Sequence, residues 1–154
     1  MMSQQSLPSR ALRVMLELSP TAQIFQTLKC ASKSLHQLTA SWDTKARIWD
    51  IEHGYLKKTL VHPTRSSWVE DCSFSRDGRL VLTVCDDDAF LWEVATGRLL
   101  TRFEGHTGRV HSGVFSPDDK YVVTSGYDGT ARVWPRPSPA LDPWDYPAVV
   151  RSPG

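Results

Sequence analysis

The sequence predicts an all-β fold, an incomplete β-propeller arc of four-stranded antiparallel blades, and three observations carry that expectation. One pattern recurs: residues 39–50 read TASWDTKARIWD, residues 83–93 read TVCDDDAFLWE, and residues 124–135 read TSGYDGTARVWP. The tryptophans that close the pattern, Trp49, Trp92 and Trp134, lie 43 and 42 residues apart, a period that corresponds to one propeller blade. Between these anchors, short alternating runs are separated by turn residues at a spacing that suits strands.

The first blade is expected over residues 24–61. Its inner strand falls at Ile24 to Ala31, where alternation is only partial, and Ala31-Ser-Lys-Ser34 stands where a tight turn is expected. The second blade covers residues 62–104. Asp71 to Ser75 alternates, Ser75-Arg-Asp-Gly78 reverses the chain, and Arg79 to Thr83 returns, with Gly78 supplying a backbone conformation that a side chain would resist. The third blade, residues 105–134, repeats this as Val110 to Phe115, Ser116 to Asp119 and Lys120 to Thr124, offset by 41 residues. His53 to Leu60 and Thr96 to Phe103 read as outer strands. After Trp134 the chain reads PRPSPALDP, and proline cannot donate to a sheet ladder. The third blade is therefore expected to lack its outer strand, with residues 135–154 a Pro-rich disordered tail and residues 1–23 a leader outside the repeat.

Composition narrows the function. The chain has 154 residues, with 18 Lys and Arg against 17 Asp and Glu, so it is one domain at most and carries no electrostatic footprint for nucleic acid or an anionic membrane. Cys30, Cys72 and Cys85 are odd in number and have no Cys-x-x-Cys spacing. They read as reduced cysteines of an intracellular, cytoplasmic protein, with the nucleus left open, and not as a disulfide framework or zinc site. No apolar run approaches a bilayer span. Val14 to Leu18 is short and interrupted by Glu17, which also breaks a secretory signal.

Over residues 24–134 the chain resembles the WD-repeat β-propeller family. The third repeat carries the likeness most fully, with Gly105-His106 before its inner strand, Ser116-Pro117-Asp118 at the first turn, Asp128-Gly129-Thr130 at the second and Trp134 at its end. The resemblance implies a buried hydrogen-bonded tetrad of His106, Thr124, Asp128 and Trp134. In the second repeat it implies His62, Thr83, Asp87 and Trp92. Counting back from Trp92 would select Asp86, but Asp87 preserves the 41-residue offset of the preceding strands. The first repeat offers Thr39, Asp43 and Trp49 without a matching His. These residue types suit such a network physically. A buried carboxylate needs donors, a buried indole N–H needs an acceptor, and a Thr hydroxyl can bridge the two.

His106, Thr124 and Asp128 also contain the ingredients of a nucleophile, base and orienting acid, but no strained elbow or oxyanion loop accompanies them, and the structural reading is preferred. Asp86, Asp87 and Asp88 suggest a metal only superficially, because consecutive residues of a strand or turn point in different directions. His106 and His111 lack zinc partners at ligand spacing, and no phosphate-cradling loop precedes a helix. No catalytic, cofactor-binding or metal-binding residues are assigned. Candidate partner-binding residues are Trp42 and Tyr127, each just before a tetrad Asp, and Trp68 and Arg109, which share a repeat position. Trp, Tyr and Arg dominate binding hot spots, although packing between blades would also use them. The resemblance thus implies a non-catalytic scaffold for other proteins or peptides, without nucleic acid or membrane. The alternatives are an enzyme using a propeller face, which would need acids such as Asp86 and Asp88 gathered at the channel, or a product with little independent activity. Because a closed ring needs four to eight blades, about two and a half repeats suggest a fragment or alternative product of a longer propeller, or self-association that completes the ring.

Overall fold

A computed structural model of the chain describes residues 29–30, 36–40, 43–50, 53–63, 68–137 and 146–151. These residues form three sheets, and there is no helix among them. The first sheet orders β1 (Lys29–Cys30), β2 (His36–Ala40), β3 (Lys45–Asp50) and β4 (Tyr55–Val61). The second contains β5 (Val69–Phe74), β6 (Leu80–Cys85), β7 (Asp88–Glu93) and β8 (Leu99–Glu104) as an antiparallel meander, and the third contains β9 (Val110–Phe115), β10 (Tyr121–Gly126) and β11 (Ala131–Pro135). The all-β arc of successive blades is present. The expected inner strand at Ile24 to Ala31 is described only at Lys29–Cys30, and its remainder, like the leader, lies outside the described residues.

The second blade holds the arc together because it is buried on both faces. Alternate side chains of a strand face opposite ways, and here they feed two separate cores. Val81, Cys85, Phe90 and Trp92 join Leu38, Ala46, Ile48 and Leu60 of the first blade. Leu80, Leu82, Val84 and Leu91 join Val110, Val122 and Trp134 of the third. This explains why Leu80–Cys85 is almost continuously apolar: every residue of β6 is buried. On β10, by contrast, Val122 and Thr124 are buried while Tyr121 is exposed, so the third blade buries one face.

Turns follow local chemistry. Gly78 has φ 71°, and its amide donates to the Ser75 carbonyl at 2.9 Å, while Asp77 accepts from the Ser75 hydroxyl and the Arg79 amide. The third blade uses Asp118 identically, with Ser116 and the Lys120 amide as donors. The turns also join blades, since the Arg76 amide donates to both carboxylate oxygens of Asp119 and the Val110 amide donates to the Asp86 carbonyl. Deeper in the same joint, Asp71 accepts from the Ser112 hydroxyl and the Gly113 amide.

One expectation is corrected. The tail was expected to be disordered, yet β12 (Val149–Arg151) lies parallel to β8, pairing Val149 with Arg102, Val150 with Phe103 and Arg151 with Glu104. The Pro-rich stretch that motivated the expectation ends at Pro143, and the β-branched pair Val149-Val150 beyond it suits a pleated edge. Residues 138–145 lie outside the described set.

The joint between the second and third blades depends on Gly113. A Cβ there would stand 2.7 Å from Val84 Cγ1 and 3.0 Å from Leu82 Cδ2. Gly113→Val should lower unfolding free energy by about 2–3 kcal/mol through overpacking, read from the urea midpoint. Lys120→Gln, at an exposed residue of the same blade, should change it by less than ~0.5 kcal/mol.

Candidate functional site

In the third blade the four expected side chains are connected. The Trp134 indole N–H donates to Thr124 Oγ1 at 2.9 Å, and Thr124 Oγ1 lies 2.8 Å from His106 Nε2. The Asp128 carboxylate can only accept, so His106 Nδ1, 2.8 Å distant, carries a proton toward it, and Nε2 of the neutral ring accepts from the Thr124 hydroxyl. Asp128 also accepts from the Thr107 amide, the Thr130 amide and the Thr130 hydroxyl. Burial opposes ionisation of Asp128, but these donors win and hold its carboxyl well below the ordinary range. Trp134, Thr124 and His106 are all buried, and every polar atom of the series has a use.

The second blade builds the same beginning and a different end. Trp92 donates to Thr83 Oγ1 at 2.8 Å, and Thr83 Oγ1 lies 2.7 Å from His62 Nε2. The His62 Nδ1 proton faces the Thr44 carbonyl at 3.3 Å, in the turn of the first blade. Asp87, expected to complete this tetrad, is exposed; the neighbouring Asp86 is the carboxylate whose charge acts on His62. The reason is hairpin length. Cys85 pairs with Asp88 across a two-residue turn, whereas Gly126 reaches Thr130 across three residues, so the shorter turn cannot lower an acid onto the ring. In the first blade Asp43 turns outward to Arg47, at 3.2 Å from Nη1, while Trp49 is buried. Thr39 lies on β2 opposite Arg47, and its side chain is outside the described residues.

The three consecutive acids diverge. Asp86 takes φ 58° at the turn, Asp87 faces solvent, and Asp88 is buried against Arg102 of β8, whose Nε is 2.9 Å away. Burial raises the Asp88 carboxyl above its ordinary range despite that guanidinium. Among the described residues, no three His, Cys, Asp or Glu side chains converge in a metal-holding group.

A second constellation forms at the start of β5 and β9. The Arg109 guanidinium lies over the Trp68 ring, 5.0 Å from its centroid, and Nη1 contacts Glu70 at 3.1 Å. Tyr127 donates its amide to the Arg109 carbonyl and meets the His111 ring edge-on at 5.4 Å. Trp68 is 43% exposed and Tyr127 76%. Trp42, the fourth candidate, lies outside the described residues.

Two residues of this face were not assigned to it from sequence, Glu70 and His111, the latter considered there only as a metal ligand. Both are the extra residue of a β-bulge, since pairing skips from Val69 to Asp71 and from Ser112 to Val110. A bulge re-aims the side chain it carries, here onto the same exposed face. The signal was present in the repeat: Glu70 and His111 stand 41 residues apart, as do Trp68 and Arg109.

His62 gives the buried network a pH signature. Desolvation lowers its pKa from 6.5 to about 4, against the opposing pull of the Thr44 carbonyl and Asp86. The unfolded chain therefore binds a proton near pH 6.5 that the folded chain takes up only near 4, and stability must fall as pH drops through that window. Thermal melts should lose about 3 kcal/mol over the interval, and His62→Asn should flatten that part of the profile. An unchanged slope in the variant would contradict the assignment.

Comparison with known proteins places this geometry. The family model described as "WD domain, G-beta repeat" matches residues 54–93 and 97–135, together just over half of the chain. The chain is 31% identical over 106 residues to Target of rapamycin complex subunit LST8 of Saccharomyces cerevisiae, covering 68% of this chain and 34% of that protein. It is 35% identical over 85 residues to Nuclear distribution protein nudF of Aspergillus niger, covering 54% and 19% respectively. With Autophagy-related protein 16 of Arabidopsis thaliana it shares 29% identity over 102 residues, 66% of this chain and 19% of that one. The chain thus spans about a third or less of the length of these relatives. WD40 proteins are in general non-catalytic scaffolds, and this chain, with its repeats and its His–Thr–Trp networks, belongs to the WD40 family.

Proposed function

We propose that the chain is a non-catalytic scaffold that binds other proteins through the face formed by Trp68, Glu70, Arg109, His111 and Tyr127. The observation that carries this reading is the Arg109–Trp68 stack standing at the surface, flanked by two bulges that turn Glu70 and His111 the same way. An aromatic ring and a guanidinium held against each other present large contact area at little further entropic cost. The Glu70 carboxylate fixes the Arg109 head, so the face is pre-organised for a partner. The names of the relatives include a complex subunit, which accords with a protein partner. Asp88 faces Arg102 on the outer strand, an arrangement that favours a structural role for this acid over one at a catalytic channel.

Peptides selected from a random library against the wild-type chain provide the test. Trp68→Ala and Arg109→Ala should each weaken selected peptides by roughly thirty-fold, while shifting folding free energy by less than ~1 kcal/mol. Equal binding to wild type and both variants, or unfolding of both variants, would defeat the reading.

Self-association is favoured by a separate observation. Register places Val114, Val123 and Val133 side by side on one face of the third blade, and Val114, Tyr121 and Val133 are all 42–56% exposed. An apolar blade face of this kind suits a neighbouring blade from a second copy. Light scattering on the eluting chain should give a discrete multimer that Val133→Lys reduces to monomer. A compact wild-type monomer at all concentrations would contradict it.

A further inference from the structure

β8 is the outer strand of its blade, and an outer strand normally leaves one edge of backbone donors and acceptors open. Here that edge is taken. The Arg102 amide donates to the Ala148 carbonyl at 3.0 Å, the buried Thr101 hydroxyl donates to the Pro147 carbonyl, and β12 continues in parallel register to Glu104. Two side chains anchor the segment. Tyr146 and Val150 both pack against the core shared by the second and third blades, and Val150 lies opposite Phe103. Arg151 adds a distant contact to Glu104 at 3.8 Å.

The occupant fits its groove incompletely. Tyr146 lines a cavity of about 430 Å³ together with Leu80, Val94, Leu100, Arg79 and Arg136, so considerable space remains beside the ring. Val149 is 37% exposed, the Arg151 side chain is 81% exposed, and the strand is only three residues long. A segment with so few buried contacts belongs to the part of a structure that opens most readily, while the groove beneath it is built from the core of two blades.

We propose that the outer edge of β8 is a strand-docking site for an extended peptide of the form aromatic-Pro-x-x-β-branched, and that Tyr146–Arg151 occupies it in cis as an autoinhibitory placeholder. Backbone pairing supplies affinity, as in other strand additions. Packing of the Tyr146 ring on the shared core selects the aromatic residue, and the position of Val150 opposite Phe103 selects the β-branched one. The cis segment has the advantage of tethering, so a free peptide competes against a high effective concentration. This site is separate from the Trp68 face and does not depend on it.

The test uses the full chain and a fluorescein-labelled peptide with the sequence of residues 145–152, followed by anisotropy. Val150→Pro removes an amide that an added strand needs, and Tyr146→Ala removes the anchor while leaving the backbone intact, so the second variant carries the experiment if the first does not fold. Either folded variant should bind the peptide at least roughly ten-fold tighter than wild type, and a scrambled peptide should bind neither. Equal affinity for wild type and variants, or no binding to a variant that melts cooperatively, would show that β12 is a fixed edge cap and overturn the proposal.

Discussion

The structure turns on a threonine hydroxyl that receives one proton and gives another. Thr83 and Thr124 are buried completely or nearly so, and each accepts from a Trp indole while facing a His Nε2. The Asp128 carboxylate and the Thr44 carbonyl can only accept, so Nδ1 of each ring carries a proton toward them, and in the neutral ring Nε2 is left to accept from the Thr hydroxyl, which fixes the direction of the series. Buried polar groups left unpaired cost about 1–3 kcal/mol each, so a blade that lost one member would leave the rest unsatisfied. What varies is the terminus. The third blade ends on a carboxylate supplied with its own donors, whereas the second ends on a carbonyl of the preceding blade, which makes His62 a contact between blades as well as within one.

That difference connects to how the arc packs. The second blade has neighbours on both faces and turns the chain in two residues. The third has a covered face and an open one, a longer hairpin, and a complete tetrad. Its inner strand approaches the second blade closely enough that Gly113 has no room for a side chain. The same strand carries the His111 bulge, so the element that seals the joint also presents part of the proposed binding face. The joint and the proposed binding face thus share one strand, and the bulge at His111 separates them.

Periodicity made the strands and turns legible because the tryptophans, the Ser-x-Asp turns and the 41-residue offset all recur. The third-blade residues were legible for the same reason. The second-blade acid was misplaced because sequence offset aligns strands, whereas the acid's position depends on hairpin geometry: with one turn residue fewer, Asp87 lies in solvent and Asp86 acts on His62 only through its charge. β12 escaped notice because a three-residue parallel strand following prolines has no periodicity to read. Glu70 and His111 were hidden differently. A bulge breaks the two-residue alternation on which strand reading depends, even though the repeat itself aligns the two residues.

The most direct test of the central claim is the nitrogen NMR spectrum of the histidine rings, assigned through His62 and His106 variants. With the proton on Nδ1 and Nε2 accepting from Thr, each ring in its neutral form should show the Nδ1–H tautomer, and His62 should remain neutral until about pH 4. Nε2–H tautomers, or titration of His62 near its ordinary 6.5, would contradict the direction of the buried series and with it the account of what joins the blades.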